Sequence, residues 1–277
     1  MFTSHQAPAV RDAADPRHLA RALDDLALGF SRWRLPLGLA RLDLRNRYRG
    51  SVLGPFWITL STSIMLAALG FLYARLFRID VADYLPFLAT SLVLWNLISG
   101  LVNDGTQCLT DREDVIRQMP QPYSVHVLRC VLRHALAAAH VLPLVPIVFL
   151  LCGRWPGWGL LGTIPGLFLF LVNGVFVCTL LGMVAARFRD MGPIMQSGMQ
   201  LLFFVTPIIW KPELLGDRVG FLALNPVYAM IELVRAPMLG QMPGLLIMAA
   251  ALFYTAVLGG LAFTIFVRWR GRIAFWV

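Results

Sequence analysis

Charge is what this sequence has least of. Only 14% of its 277 residues are Asp, Glu, Lys or Arg, against roughly 25% in soluble proteins, while 58% are hydrophobic. That balance excludes a water-soluble globular domain, whose core could not absorb so much apolar surface. Lysine is nearly missing: Lys211 is the only one, and it stands between Trp210 and Pro212. A Walker A loop needs a lysine after glycine, so the chain has no phosphate loop of that kind and does not hydrolyse ATP through one. Cys108, Cys130, Cys152 and Cys178 lack the paired spacing of a metal site and read as small apolar fillers. The first thirty residues contain no apolar core of a signal peptide, so the first span is expected to direct insertion.

What the chain does have is long uncharged stretches. A helix needs about 20 such residues, at 1.5 Å each, to cross a hydrocarbon core of about 30 Å. The gaps between charges supply six, giving expected spans at about 50–74, 84–103, 134–153, 158–186, 191–210 and 244–267. A further apolar run at 219–231 is too short to cross and has the length of a re-entrant or interfacial segment. The expected fold is an all-α integral membrane protein. It has six transmembrane helices, an amphipathic interfacial helix before the first, and a re-entrant helix pair at about 213–240 between the fifth and sixth. The six-span body would occupy residues 50–277.

Arginine sets the orientation, because positive residues near span ends are retained in the cytoplasm. With the N-terminus inside, eighteen arginines fall on inner segments, against six basic residues outside: Arg75, Arg78, Arg154, Lys211, Arg218 and Arg235. Both termini are therefore expected to be cytoplasmic. Basic helix ends facing anionic membrane lipid also account for the net charge of +9, which leaves no role for nucleic acid as a partner.

Residues 1–17 mix Ala, Pro and charge without periodicity, as a flexible tail does. Within 18–49, Leu19, Leu23, Leu26, Phe30 and Trp33 recur at helical spacing on one face, with Asp24, Asp25 and Arg32 turned elsewhere; Pro36 is expected to interrupt the helix. Such a stripe lies in the headgroup plane or docks on a partner domain. In the loop at about 104–133, Leu109, Ile116 and Met119 share a face while Arg112, Glu113, Asp114 and Arg117 occupy others, until Pro120 and Pro122 end the pattern. This is either a solvated connector or a helix presented to a cytoplasmic protein. Inside the spans, Pro143, Pro146, Pro165, Pro207 and the Gly162-x-x-x-Gly166 pair point to close helix approach.

Few motifs carry chemistry. Gly157, Gly159 and Gly162 spell GxGxxG, but no strand precedes them, so the dinucleotide reading lacks its context. His126, His134 and His140 do not form HExxH and are expected to be hydrogen-bonded within the bundle. The segment after the fifth span is more pointed. Asn225-Pro226 between two short apolar runs predicts a helix, a break and a second helix capped by Asn225, and Glu232 and Arg235 stand at i, i+3 to pair. Non-helical backbone at membrane depth is tolerated only where it is buried or lines a cavity. Asn225, Pro226, Glu232 and Arg235 are therefore candidates for an outer gate.

Residues 44–57 resemble the RYR-x-S-x-LG-x-x-W run that leads into the first span of type-2 ABC exporter permeases, in the branch that exports lipid-linked O-antigens, capsules and teichoic acids. Arg47, Tyr48, Ser51, Gly54 and Trp57 carry that resemblance. Asn225-Pro226, Glu232, Arg235 and Gly240 are similar to the branch's second landmark, and the likeness runs over roughly residues 31–277. The run Arg117-Gln118-Met119-Pro120-Gln121-Pro122 departs from the simpler Lys-x-x-Phe-Pro-like pattern of many members.

The resemblance implies a homodimer in the bacterial inner membrane whose two copies form a channel for a lipid-linked glycan. A separate ABC ATPase subunit would hold ATP and Mg, with no cofactor on this chain. It implies that Arg112, Glu113, Asp114 and Arg117 transmit motion from that ATPase, and that aromatics such as Trp57, Tyr73, Trp95 and Trp210 line the sugar path. The alternatives are a permease for a drug or lipid, and, from another class, a membrane-bound glycosyl- or acyltransferase. The latter needs catalytic acids, and no carboxylate lies in any of the six stretches.

Overall fold

The computed structural model describes residues 17–112, 121–155 and 157–276, all of whose regular elements are helical. Two short helices, α1 (His18–Ser31) and α2 (Arg34–Arg47), precede α3 (Phe56–Phe77) and α4 (Val81–Gln107). After a 3-10 turn at Thr110–Arg112 come α5 (Tyr123–Val141) and its continuation α6 (Leu144–Leu151). A second turn, Gly157–Gly162, runs into α7 (Thr163–Arg187), followed by α8 (Met191–Val205). The irregular segment Pro212–Leu224 then leads to α9 (Pro226–Met238), α10 (Leu245–Trp269) and a last short helix, α11 (Ile273–Trp276).

Five segments are long and apolar enough to cross a bilayer: α3, α4, the α5–α6 pair, Gly157–Arg187 and Leu245–Trp276. Pro212–Leu224 and α9 form a pair bent by 113°, a sixth if counted as one crossing. The protein is an all-α membrane protein, as its charge gaps predict. Three boundaries differ from expectation. The third span starts at Tyr123, directly after Pro122, rather than at 134. The fifth stretch is helical only to Val205, because Thr206 precedes Pro207 and turns extended (ψ 135°). Pro36 does not interrupt a helix. The break falls at Arg32–Trp33, and Pro36 sits in the first turn of α2, where its missing N–H costs no helical bond.

α4 is the central helix, with 67% of its crossing window buried against 17% for α3 and 11% for α10. Leu88, Leu94 and Leu101 fix it among its neighbours, whereas Met65, Leu72, Phe204 and Leu252 on α3, α8 and α10 point outward. In a soluble protein so much exposed apolar surface would aggregate; on spanning helices it is the face offered to lipid or to a second copy. On α1 most of the predicted stripe is turned away from the bundle, with Leu19, Leu23, Phe30 and Trp33 each about half exposed, while Leu26 packs partly against the core and Ala22, Asp25 and Gly29 face in.

Small residues let the helices close. A Cβ on Gly166 of α7 would stand 2.9 Å from the Leu233 carbonyl oxygen of α9, and one on Gly162 would stand 3.2 Å from Pro237. The GxxxG pair thus seats α9. Cys108, Cys130 and Cys178 meet where α4, α5 and α7 converge, the Cys178 and Cys130 sulfurs 3.9 Å apart. Gly166→Ala is expected to lower stability by about 1–3 kcal/mol by forcing backbones apart. Gly198→Ala, at a position with open space around it, should not. The unfolding midpoint of the purified chain reads both.

Candidate functional site

α1 and the segment after α10 meet at one end of the bundle, and the bent pair lies at the other. The bend is built by Asn225. Its extended backbone (φ −90°, ψ 108°) breaks the chain, and its side-chain oxygen accepts from the Val227 and Tyr228 N–H groups at 3.0 and 3.2 Å, capping α9. Its amide donates to the Thr206 hydroxyl at 2.9 Å, tying the bend to the end of α8. Pro226 opens α9 at the position where a lost N–H matters least. Tyr254 of α10 donates to the Ala223 carbonyl at 3.1 Å and holds the other limb.

Arg235 fixes α9 to the rest. Its side chain is 1% exposed. Nε donates to Glu232 at 2.9 Å and Nη2 bonds the same carboxylate oxygen, while Nη1 donates to the Ser91 hydroxyl of α4 at 2.8 Å and to the Pro207 carbonyl at 2.6 Å. The guanidinium lies 4.4 Å from the centre of the Phe87 ring. Sequence spacing predicts the Glu232 pairing; nothing in it announces Ser91, Pro207 or the burial. Beside this group opens a pocket of about 340 Å³ at the mouth of the bundle, bordered by the start of α4, the end of α6, residues 211–213 and α9. Asp83 and Arg154 form an ion pair across it.

The opposite end carries a group that sequence reading missed. Asp25 of α1, 2% exposed, accepts from the Tyr123 and Ser124 N–H groups at 3.1 and 3.0 Å and from the Ser124 hydroxyl at 2.7 Å. It thereby caps the N-terminus of α5 with a negative charge at the positive end of the helix dipole. Arg270, just past α10, donates to it at 2.9 Å. One carboxylate therefore ties together α1, the segment after α10 and the start of α5. Nothing in the sequence signals it, since Asp25 lies off the apolar stripe like the other charges of α1 and its partners are 99 and 245 residues away.

Next to it, Arg129 of α5 forks onto Asp43 of α2, with its Nε at 2.6 Å. Arg133 reaches Asp104 of α4 at 2.8 Å, as does His134 at 2.9 Å. This belt explains why the third span starts early, since its arginines are neutralised by neighbouring helices. His140, one of the predicted intramembrane histidines, bonds its own helix at the Leu136 carbonyl, 2.7 Å away.

The motif leading into the first span shapes a turn. Gly50 and Gly54 adopt φ of 83° and 54°, conformations that favour glycine. Arg47 approaches Asp104 at 3.7 Å, Tyr48 borders an open groove, the Ser51 hydroxyl is buried without a partner among the described residues, and Trp57 is half exposed at the start of α3. The aromatic candidates are not brought together. Tyr73 lies against Phe77, Trp95 is buried against Phe203, and Trp210 donates to the Phe204 carbonyl at 3.1 Å. Glu113, Asp114 and Arg117 lie outside the described residues, and for Arg112 only the backbone of the Thr110–Arg112 turn is described. Among the described residues no group of three or more His, Cys, Asp or Glu side chains is placed to hold a metal.

A spanning all-α chain with a bent helix pair and a basic, turn-rich run before its first long helix is in keeping with the family that the 44–57 run resembles. The profile of the ABC-2 type transporter family matches residues 38–239, and the chain belongs to that family. It is 26% identical over 206 residues to an O-antigen export system permease protein RfbA of Myxococcus xanthus, covering 73% of this chain and 79% of the relative. It is 23% identical over 194 residues to a protein of the same name from Klebsiella pneumoniae, covering 68% and 74%. These relatives stand in the polysaccharide-export branch to which the 44–57 run pointed. Family membership implies a partner ATPase, since ABC-2 permeases are transport subunits.

Proposed function

We propose that this chain is the membrane subunit of an ATP-driven exporter that moves a lipid-linked, O-antigen-like polysaccharide across the bacterial inner membrane. Two copies form the channel, both termini lie in the cytoplasm, and a separate ABC ATPase supplies the energy. The observation that carries this reading is the likeness to O-antigen export permeases over 73% of the chain. The geometry is in keeping with it. The Asp25–Ser124–Arg270 group ties the interfacial helix to the segment after residues 112–120, where Arg112, Glu113, Asp114 and Arg117 would meet the ATPase. At the other end, Asn225, Pro226, Glu232 and Arg235 set the bend that would gate the exit. Trp57, exposed at the start of the first span, is the aromatic best placed to meet a passing sugar; Tyr73 and Trp210 are half-buried, and Trp95 would have to leave its core position.

Deleting the gene is expected to abolish surface polysaccharide while the lipid-linked precursor accumulates inside the cell, read by immunoblot of surface glycan and mass spectrometry of the lipid fraction. Unchanged surface glycan overturns the reading and leaves a family member with another cargo, such as a drug or lipid.

A further inference from the structure

The pocket beside Arg235 has a chemistry of its own. Three carboxylates, Asp83, Glu213 and Glu232, and three cations, Arg154, Lys211 and Arg235, border its volume of about 340 Å³. Four of these six are matched in pairs, Asp83 with Arg154 and Glu232 with Arg235. Arg235 spends its donors on Glu232, Ser91 and Pro207 and serves as a fixed floor. The side chains of Lys211 and Glu213 carry no hydrogen bond or ion pair among the described residues. At the rim stands Trp155, 65% exposed. The space falls at the small end of the roughly 300–1,000 Å³ range of ligand pockets.

We infer that this pocket is a saccharide subsite at the exit end, taking a neutral sugar unit of the exported glycan; it rests on the glycan-export reading above. The charge pattern selects the ligand class. A free anion would face three carboxylates and a free cation three bases, so neither gains from the whole set. An apolar ligand would desolvate Lys211 and Glu213 without pairing them, which is costly. A neutral sugar offers what the pocket leaves open. Its hydroxyls accept from the Lys211 ammonium and donate to the Glu213 carboxylate, as charge-assisted bonds. Its apolar C–H face lies on the Trp155 ring, a large apolar surface. Overall neutrality also suits a pocket on an export route, because no single strong charge would trap a chain that must move on.

The test uses the chain assembled with its ATPase partner in lipid nanodiscs and labelled with 5-fluorotryptophan, the Trp155 resonance being assigned with Trp155→Phe. The probes are glucose, galactose, mannose, rhamnose and N-acetylglucosamine, with inorganic phosphate and choline as charged controls. At least one sugar is expected to shift the Trp155 fluorine signal saturably, and neither control should. Lys211→Met and Glu213→Gln should each weaken that binding by roughly tenfold or more, the loss of one charge-assisted bond. An unmoved resonance for buried Trp95 certifies that the variants are folded. The inference is overturned if no sugar shifts Trp155, if phosphate or choline shifts it as strongly, or if both variants bind as the parent does. The two readings fail separately. Absent sugar binding alongside loss of surface glycan on gene deletion sinks the subsite alone, whereas surface glycan that survives deletion sinks export whatever the pocket binds.

Discussion

An Arg235→Ala chain is expected to lose about 3–5 kcal/mol of stability, the usual cost of removing one partner from a buried ion pair, and to be cleared from the membrane. The guanidinium is 1% exposed and makes four hydrogen bonds, so its loss strands Glu232 and the Pro207 carbonyl together and cuts the tie to the Ser91 hydroxyl of α4. Arg235→Lys keeps the charge, yet an ammonium cannot fork onto Glu232 while reaching α4 and staying over the Phe87 ring. It should fall between the two. Replacing both charges with apolar residues, Arg235→Met with Glu232→Leu, is expected to restore most of the stability, since an uncharged buried pair leaves no ion stranded. Export by that double variant then reports on the bend itself. Unfolding midpoints of the purified complex order the series, and an unshifted Arg235→Ala midpoint refutes the account.

Asp25→Ala should have an effect of similar size, about 3–5 kcal/mol by the same argument, felt at the other end of the molecule. It takes the acceptor from two backbone N–H groups at the start of α5 and from Arg270. Asp25→Asn keeps one acceptor oxygen but turns an NH₂ toward a cluster of donors, so it should rescue little. The expected readout is local. α1 detaches, and trypsin cuts after Arg21 and Arg32 far faster than in the parent chain. Cleavage at the parent's rate would mean that α1 is held by its apolar contacts instead.

These two residues also show where the sequence stops being legible. The break and cap of the bent pair could be read in advance because they are local: a cap, a proline and an i, i+3 pair within eleven residues. Asp25 could not, because its partners are Ser124 and Arg270, far along the chain. The third span was misplaced for a related reason. Counting charges as span ends assumes that each faces water, whereas Arg129 and Arg133 are answered by Asp43 and Asp104 inside the bundle. Pro36 was misread because a helix-breaking residue and a helix-starting one are the same residue at different positions. The aromatic path was the weakest reading. Aromatic content says that a ring is present, and only tertiary structure says that Trp95 is sealed behind Phe203.

The belt around Arg129 and Arg133 has a consequence for biogenesis. Asp43 and Asp104, the acids that neutralise these arginines, lie on α2 and α4, and both helices leave the ribosome before α5. When α5 emerges, the counter-charges of its two arginines already wait at the membrane. Seating of the arginine-bearing half of α5 is thereby made conditional on correct placement of the earlier helices. A chain whose first half is misthreaded would offer no acids at that point, and Arg129 and Arg133 would stay unpaired within reach of quality control.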